Sequence, residues 1–122
     1  MRAAHQHKIK RVVVTSSAAA IMIHSEANHK EVYDENDWSD LKACSAYDKS
    51  KTLAEKAAWD FVNALPEDEK FELVIINPVF VQGPNLCNGD FTSGVVVKKM
   101  LNGDYPGLPK IMFPVVDVRE VA

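Results

Sequence analysis

Two β-branched runs bracket one long amphipathic stretch, and that alternation limits the chain to a small set of folds. Ile9 to Thr15 is apolar at its centre and ends in the small hydroxyl residues Thr15-Ser16-Ser17. It reads as a buried strand emptying into a loop. Phe71 to Asn77 reads as a second strand, apolar on both faces at its end as parallel strands covered by helices are. Between them Tyr47, Ala54, Ala58, Phe61, Val62 and Leu65 recur at three- and four-residue spacings among strong helix formers. Ser45 is placed to cap that helix and Pro66 to stop it. Further on, Pro78 ends the ladder pairing of the second strand, and Pro84, Asn85, Asn88 and Gly89 mark a loop. The spacing predicts a helix over Phe91 to Asn102 closed by Gly103, then short extended pieces at Ile111 to Phe113 and Val115 to Asp117. Strand, helix, strand, helix, strand is the order of an α/β layer with a parallel sheet. A sheet of two or three strands leaves a long edge unpaired, a surface open to self-association.

Length and charge narrow the function classes. A 122-residue chain can bury roughly two-thirds of its unfolded surface, so neither a metal nor disulfides are needed to hold a core. We read residues 1–122 as a single domain, with no internal repeat and no linker. Fourteen basic against 17 acidic side chains give a net charge of -3, the wrong sign for a nucleic-acid surface or a polybasic membrane patch. The longest apolar run, Ala18 to Ile23, is six residues, against about 20 for a membrane span. Met1 to Ser25 carries Arg2, Lys8, Lys10 and Arg11 without an acid, but Thr15-Ser16-Ser17 cuts its apolar run as no secretory segment allows. Cys44 and Cys87 read as reduced thiols of a cytoplasmic protein.

Residues 16–43 show neither helical nor strand period and form a long loop with about one helical turn, a candidate site wall. Asp34, Glu35, Asp37 and Asp40 cluster there around Trp38, without the ligand spacing or glycine of a calcium loop. His24 and His29 lack zinc spacing, so no metal site is expected. Trp38 and Trp59 read as packing residues.

One spacing has a chemical use. Tyr47 and Lys51 are four apart on the predicted helix and share a face. An ammonium beside a phenol favours the phenolate and makes the hydroxyl a better proton donor and acceptor near neutrality. Ser17, at the carboxyl end of the preceding strand, would point into the same crevice, since open parallel sheets place their sites there.

The segments VVVTSSAAA, VYDENDWSD, YDKSKTLAEKAAW, INPVFVQGP and VVDVREVA occur in that order. With them the chain resembles the extended short-chain dehydrogenase/reductases of the NAD-dependent epimerase/dehydratase superfamily, in the branch of dihydroflavonol reductase and cinnamoyl-CoA reductase. The resemblance implies an oxidoreductase interconverting a small-molecule carbonyl and its alcohol. Tyr47 would be the general acid or base, Lys51 would hold the nicotinamide ribose, and Ser17 would orient the carbonyl. Thr15 and Ser16 would line the nicotinamide side, Pro78, Val79 and Val81 would meet the carboxamide end, and Ser93 would touch the cofactor. The implied cofactor is NADP(H), with NAD(H) as the alternative. Members of the family open with a Gly-rich turn that cradles the pyrophosphate. The five glycines here, at 83, 89, 94, 103 and 107, all lie late in the chain. By that comparison Arg2-Ala3-Ala4 is the last turn of a helix. The chain then reads as a partial Rossmann-like parallel sheet with flanking helices, the first half of the doubly wound fold being absent. Residues 1–122 would be one partial domain, the catalytic half of the NAD(P)-binding domain with the start of the substrate-binding region, and inactive by itself. Two other readings stand beside this one: a sugar-nucleotide epimerase or dehydratase of the same superfamily, and a non-catalytic truncated module.

Overall fold

The structure, a computed structural model, describes residues 1–86, 89, 91–107, 110 and 112–122. Cys87, Asn88 and Ile111, named above, lie outside the described residues. The chain divides into two compact units, Met1–Asn77 and Pro78–Ala122.

In the first unit, helix α1 (Arg2–Gln6) leads into strand β1 (Arg11–Thr15). The polar stretch that follows contains two 3-10 turns, Ala18–Ala20 and Glu26–Asn28, where one was expected. Helix α2 (Ala46–Asn63) then crosses to strand β2 (Glu72–Ile76). Ser45 caps α2 as its position suggests. Its hydroxyl accepts from the Asp48 N–H at 3.3 Å, and the Asp48 carboxylate accepts from the Ser45 N–H at 2.9 Å. That reciprocal pair satisfies two donors which the helix start would otherwise leave bare.

β1 and β2 are parallel, with Arg11 opposite Glu72 and Thr15 opposite Ile76. An Arg11–Glu72 ion pair at 2.6 Å lies across that first register position. The core gathers Ala58 and Val62 of α2 with Phe71 and Leu73, and Val12, Val14 and Ile75 pack against it. Strand pleating puts Val12 and Val14 on one face and Arg11, Val13 and Thr15 on the other. Only the first face is covered, and Val13 is 58% exposed. The expectation of a buried strand is thus corrected to a half-buried one.

The second unit holds strand β3 (Phe80–Gln82), helix α3 (Thr92–Leu101), strand β4 (Val115–Asp117) and helix α4 (Val118–Val121). β3 and β4 pair in parallel, Phe80 opposite Val115 and Gln82 opposite Asp117. The expected single sheet is therefore two separate parallel pairs, and β3, three residues long and two residues beyond Pro78, shows no period of its own to announce it. The Phe80 and Phe113 rings stack with centroids 5.2 Å apart. Gly83 has φ +146°, and a Cβ there would come within 2.6 Å of Val118 Cγ1. The turn after β3 thus admits only glycine. Gly103, at φ +73°, closes α3 in the left-handed conformation that helix ends favour.

Candidate active site

α2 carries the chemistry because its sequence turns different faces to different surroundings. Thr52, Glu55, Ala58 and Val62 are its buried residues. Tyr47 and Lys51 lie on the adjoining face, near the amino end of the helix. Tyr47 is 57% exposed, while Lys51 is half-buried. The Lys51 ammonium lies 5.8 Å from the centroid of the Tyr47 ring. Among the described residues no carboxylate pairs with that ammonium, so its donors remain available to a ligand.

Ser17 sits where β1 ends, in extended backbone, and opens the 18–20 turn. Its hydroxyl oxygen accepts from the Ala19 N–H at 3.2 Å, an arrangement that leaves the O–H proton free to donate. The turn packs against α2. Ser39, buried, fastens the far side of the same turn: its hydroxyl donates to the Ala19 carbonyl at 2.9 Å and accepts from the Ile23 N–H at 2.8 Å. Thr15 pairs with Ile76 in the β1–β2 register. The Ser16 N–H donates to the Ile76 carbonyl at 2.8 Å, carrying the ladder one residue further.

The remaining expected residues belong to the second unit. Pro78 and Val79 precede β3, and Val81 is its central residue. The Ser93 hydroxyl donates to the Val81 carbonyl at 2.6 Å, so its proton serves to hold the start of α3 to β3.

Two polar residues at the first site, Glu55 in the TLAEKAAW segment and Asn77 in INPVFVQGP, are given no role by the sequence reading. Glu55, 6% exposed, accepts at Oε2 from Asn77 Nδ2 at 2.7 Å. The same Asn77 nitrogen donates to the Ser17 carbonyl at 3.1 Å. Glu55 lies eight residues after Tyr47, and each four-residue step on a helix turns about 40°. The Tyr47, Lys51, Glu55 stripe therefore winds from solvent toward the interior. An acid on the inward side of that stripe was the available sign that something polar must meet it.

Elsewhere, the rings of His24 and Tyr33 stack at 5.0 Å and His29 meets Tyr33 edge-on. Lys56 lies over the Trp38 ring at 4.9 Å. Lys30 pairs with Asp37. Among the described residues no three His, Cys, Asp or Glu side chains are grouped to hold a metal ion, and no helix is long and apolar enough to cross a membrane. A cavity of about 620 Å³ lies between His5, Lys10, Glu69 and Phe71, at the amino ends of β1 and β2. Parallel sheets place their sites at the carboxyl ends, which is where Ser17 and Asn77 are.

The first unit is thus a parallel α/β unit with a phenol and an ammonium one turn apart on its crossover helix and a serine just beyond the end of its first strand. No family model matches the chain. It is 39% identical over 124 residues to cinnamoyl-CoA reductase 2 of Arabidopsis thaliana, covering 98% of this chain and 36% of the relative. To the NADPH-dependent methylglyoxal reductase of Saccharomyces cerevisiae it is 34% identical over 128 residues, 93% of this chain and 37% of the relative. Dihydroflavonol 4-reductase of Arabidopsis thaliana is 45% identical over 83 residues, 62% of this chain and 20% of the relative. The chain thus spans about a third of the length of the curated relatives it matches. Over that stretch it is similar to these members of the NAD-dependent epimerase/dehydratase, or short-chain dehydrogenase/reductase, superfamily.

Proposed function

We propose that the complete protein containing this chain is an NADPH-dependent reductase that converts a small carbonyl compound to its alcohol, with Tyr47 as general acid. The observation that carries the reading is the Lys51 ammonium held beside the Tyr47 ring at 5.8 Å, on the helix that packs against the Ser17 turn. The reductase names of the relatives support a net reduction over an epimerase cycle.

The residues present fit a dinucleotide. Lys51 offers ammonium donors that no described carboxylate occupies, and an exposed Tyr47 can meet a substrate from solvent. When bound, the dinucleotide supplies hydride to the carbonyl carbon. Ser17 donates its free O–H to the carbonyl oxygen, a bond that strengthens as negative charge grows there. Tyr47 gives its phenolic proton to that oxygen and completes the alcohol; in the reverse direction it takes the proton back. Lys51 stabilises the resulting phenolate and donates to the ribose hydroxyls.

Turnover of aldehydes by the complete protein, with one NADPH consumed per alcohol formed, tests this reading. Tyr47→Phe should lower kcat by about 10²-fold or more while NADPH affinity changes little, as loss of a general acid does. An isomerised product with no net NADPH consumed would replace the reductase by an epimerase. Unchanged turnover in the phenylalanine variant would remove Tyr47 from the mechanism.

A further inference from the structure

In the reductase reading Ser17 presents its hydroxyl from just beyond the end of β1, at the start of the 18–20 turn that its own side chain caps. Resting on the reductase reading, we infer that Asn77 and Glu55 are positioning residues for Ser17. The Asn77 amide ties the backbone of the Ser17 turn to the helix that bears Tyr47 and Lys51.

One amide nitrogen carries both hydrogens of the link. It donates to the Ser17 carbonyl at 3.1 Å and to Glu55 Oε2 at 2.7 Å. A carboxylate has no hydrogen to give when ionised, so Glu55 fixes the amide's orientation: the NH2 end must face both acceptors. Asn77 follows directly on β2, whose partner β1 ends two residues before Ser17. The Ser16 N–H to Ile76 carbonyl bond holds the backbone on one side of Ser17, and the amide holds the carbonyl on the other. With that carbonyl held, the adjacent Cα–Cβ bond keeps its direction, and the Ala19 N–H, donating to the hydroxyl oxygen at 3.2 Å, selects the rotamer about it. Glu55 is two turns along α2 from Tyr47, so the tether references the hydroxyl to the same rigid element as the phenol. Buried Glu55 also requires the amide for its own satisfaction, and an ordinary structural pairing would need no more than that contact. The bond to Ser17 is what goes beyond it.

A chemical swap separates the two roles. Asn77→Asp removes both hydrogens and sets two carboxylates together. In the double variant Glu55→Gln with Asn77→Asp, the glutamine amide donates to the aspartate, restoring the pair but leaving the Ser17 carbonyl without a donor. In the complete protein, the double variant should regain the thermal stability lost by Asn77→Asp. Its kcat should stay at least tenfold below that of the parent, with KM for NADPH within about twofold, as a 1 Å misplacement of an orienting group predicts. Glu55→Gln by itself keeps an amide oxygen to accept from Asn77 and should retain kcat within about threefold. Recovery of kcat together with stability in the double variant would reduce the pair to a structural contact and overturn the inference. So would a tenfold loss in Glu55→Gln, which would point to charge instead of geometry. If Asn77→Asp fails to fold, the double variant compared with the parent decides alone. A parent protein that consumes no NADPH would instead count against the reductase reading, and the two failures are distinct.

Discussion

The Lys51 ammonium lies 5.8 Å from the centre of the Tyr47 ring, one helical turn away and with no described carboxylate to compete for it. The proposed mechanism gives that cation two tasks, one toward the phenol and one toward the dinucleotide. Lys51→Met in the complete protein should therefore raise the Kd for NADPH and lower kcat, each by about tenfold or more, since it removes both the proposed ribose donor and the cation beside the proposed general acid. Titration of NADPH fluorescence with steady-state rates on the same preparation checks both. A variant that loses only affinity would confine Lys51 to binding.

The capping box at the start of α2 holds the helix that carries that pair. Ser45→Ala removes the acceptor for the Asp48 N–H and should cost about 1 kcal/mol, a loss usual for such caps. A fall in Tm of several degrees by circular dichroism is the expected reading. No change would mean that the Asp48 carboxylate suffices alone.

Acid should loosen the loop before the helix. The Asp37 carboxyl is held below its ordinary value, first by its bond to Lys30 and then by the Asp34 N–H, which donates to it at 3.0 Å. A lowered carboxyl contributes stability that is whole at neutral pH and disappears as pH falls through the ordinary value, about 4, toward the lowered one. Melting temperatures between pH 7 and pH 3 should fall more steeply for the parent chain than for Asp37→Asn. Parallel curves would show that the ion pair does nothing for stability.

Cys44 should be slow to react. Burial is the main cause that raises its thiol above the ordinary range, with the Asp48 charge adding to it, and the thiolate is the reactive form. At pH 8, iodoacetamide should label Cys44 in the native chain at least tenfold more slowly than in denaturant, read by peptide mass spectrometry. Equal rates would contradict the burial of this side chain.

The outer edge of β1 is bare of a partner among the described residues, and Val13 is 58% exposed beside it. Prepared as 122 residues, the chain should self-associate in a concentration-dependent way, and Val13→Lys should weaken that association, as charge on an edge strand does. Sedimentation velocity over a hundredfold concentration range reads it. A monomer throughout would leave the edge without a role in assembly.

Much of this was legible from the amino-acid order. The α2 helix, its Ser45 cap, the β1 and β2 runs and the Tyr47–Lys51 turn depend on period and on neighbours within four residues, and such short-range rules act before any fold exists. What only the tertiary structure decided is which residues meet across the chain. Asn77 reaches Glu55 over 22 residues and Ser17 over 60, and no local rule encodes that. The meeting follows from a parallel register and from where a crossover helix comes to rest. The pairing of β3 with β4 and the one-sided burial of β1 have the same origin. A strand's covered face is set by what packs on it, and a three-residue strand takes its identity from its partner.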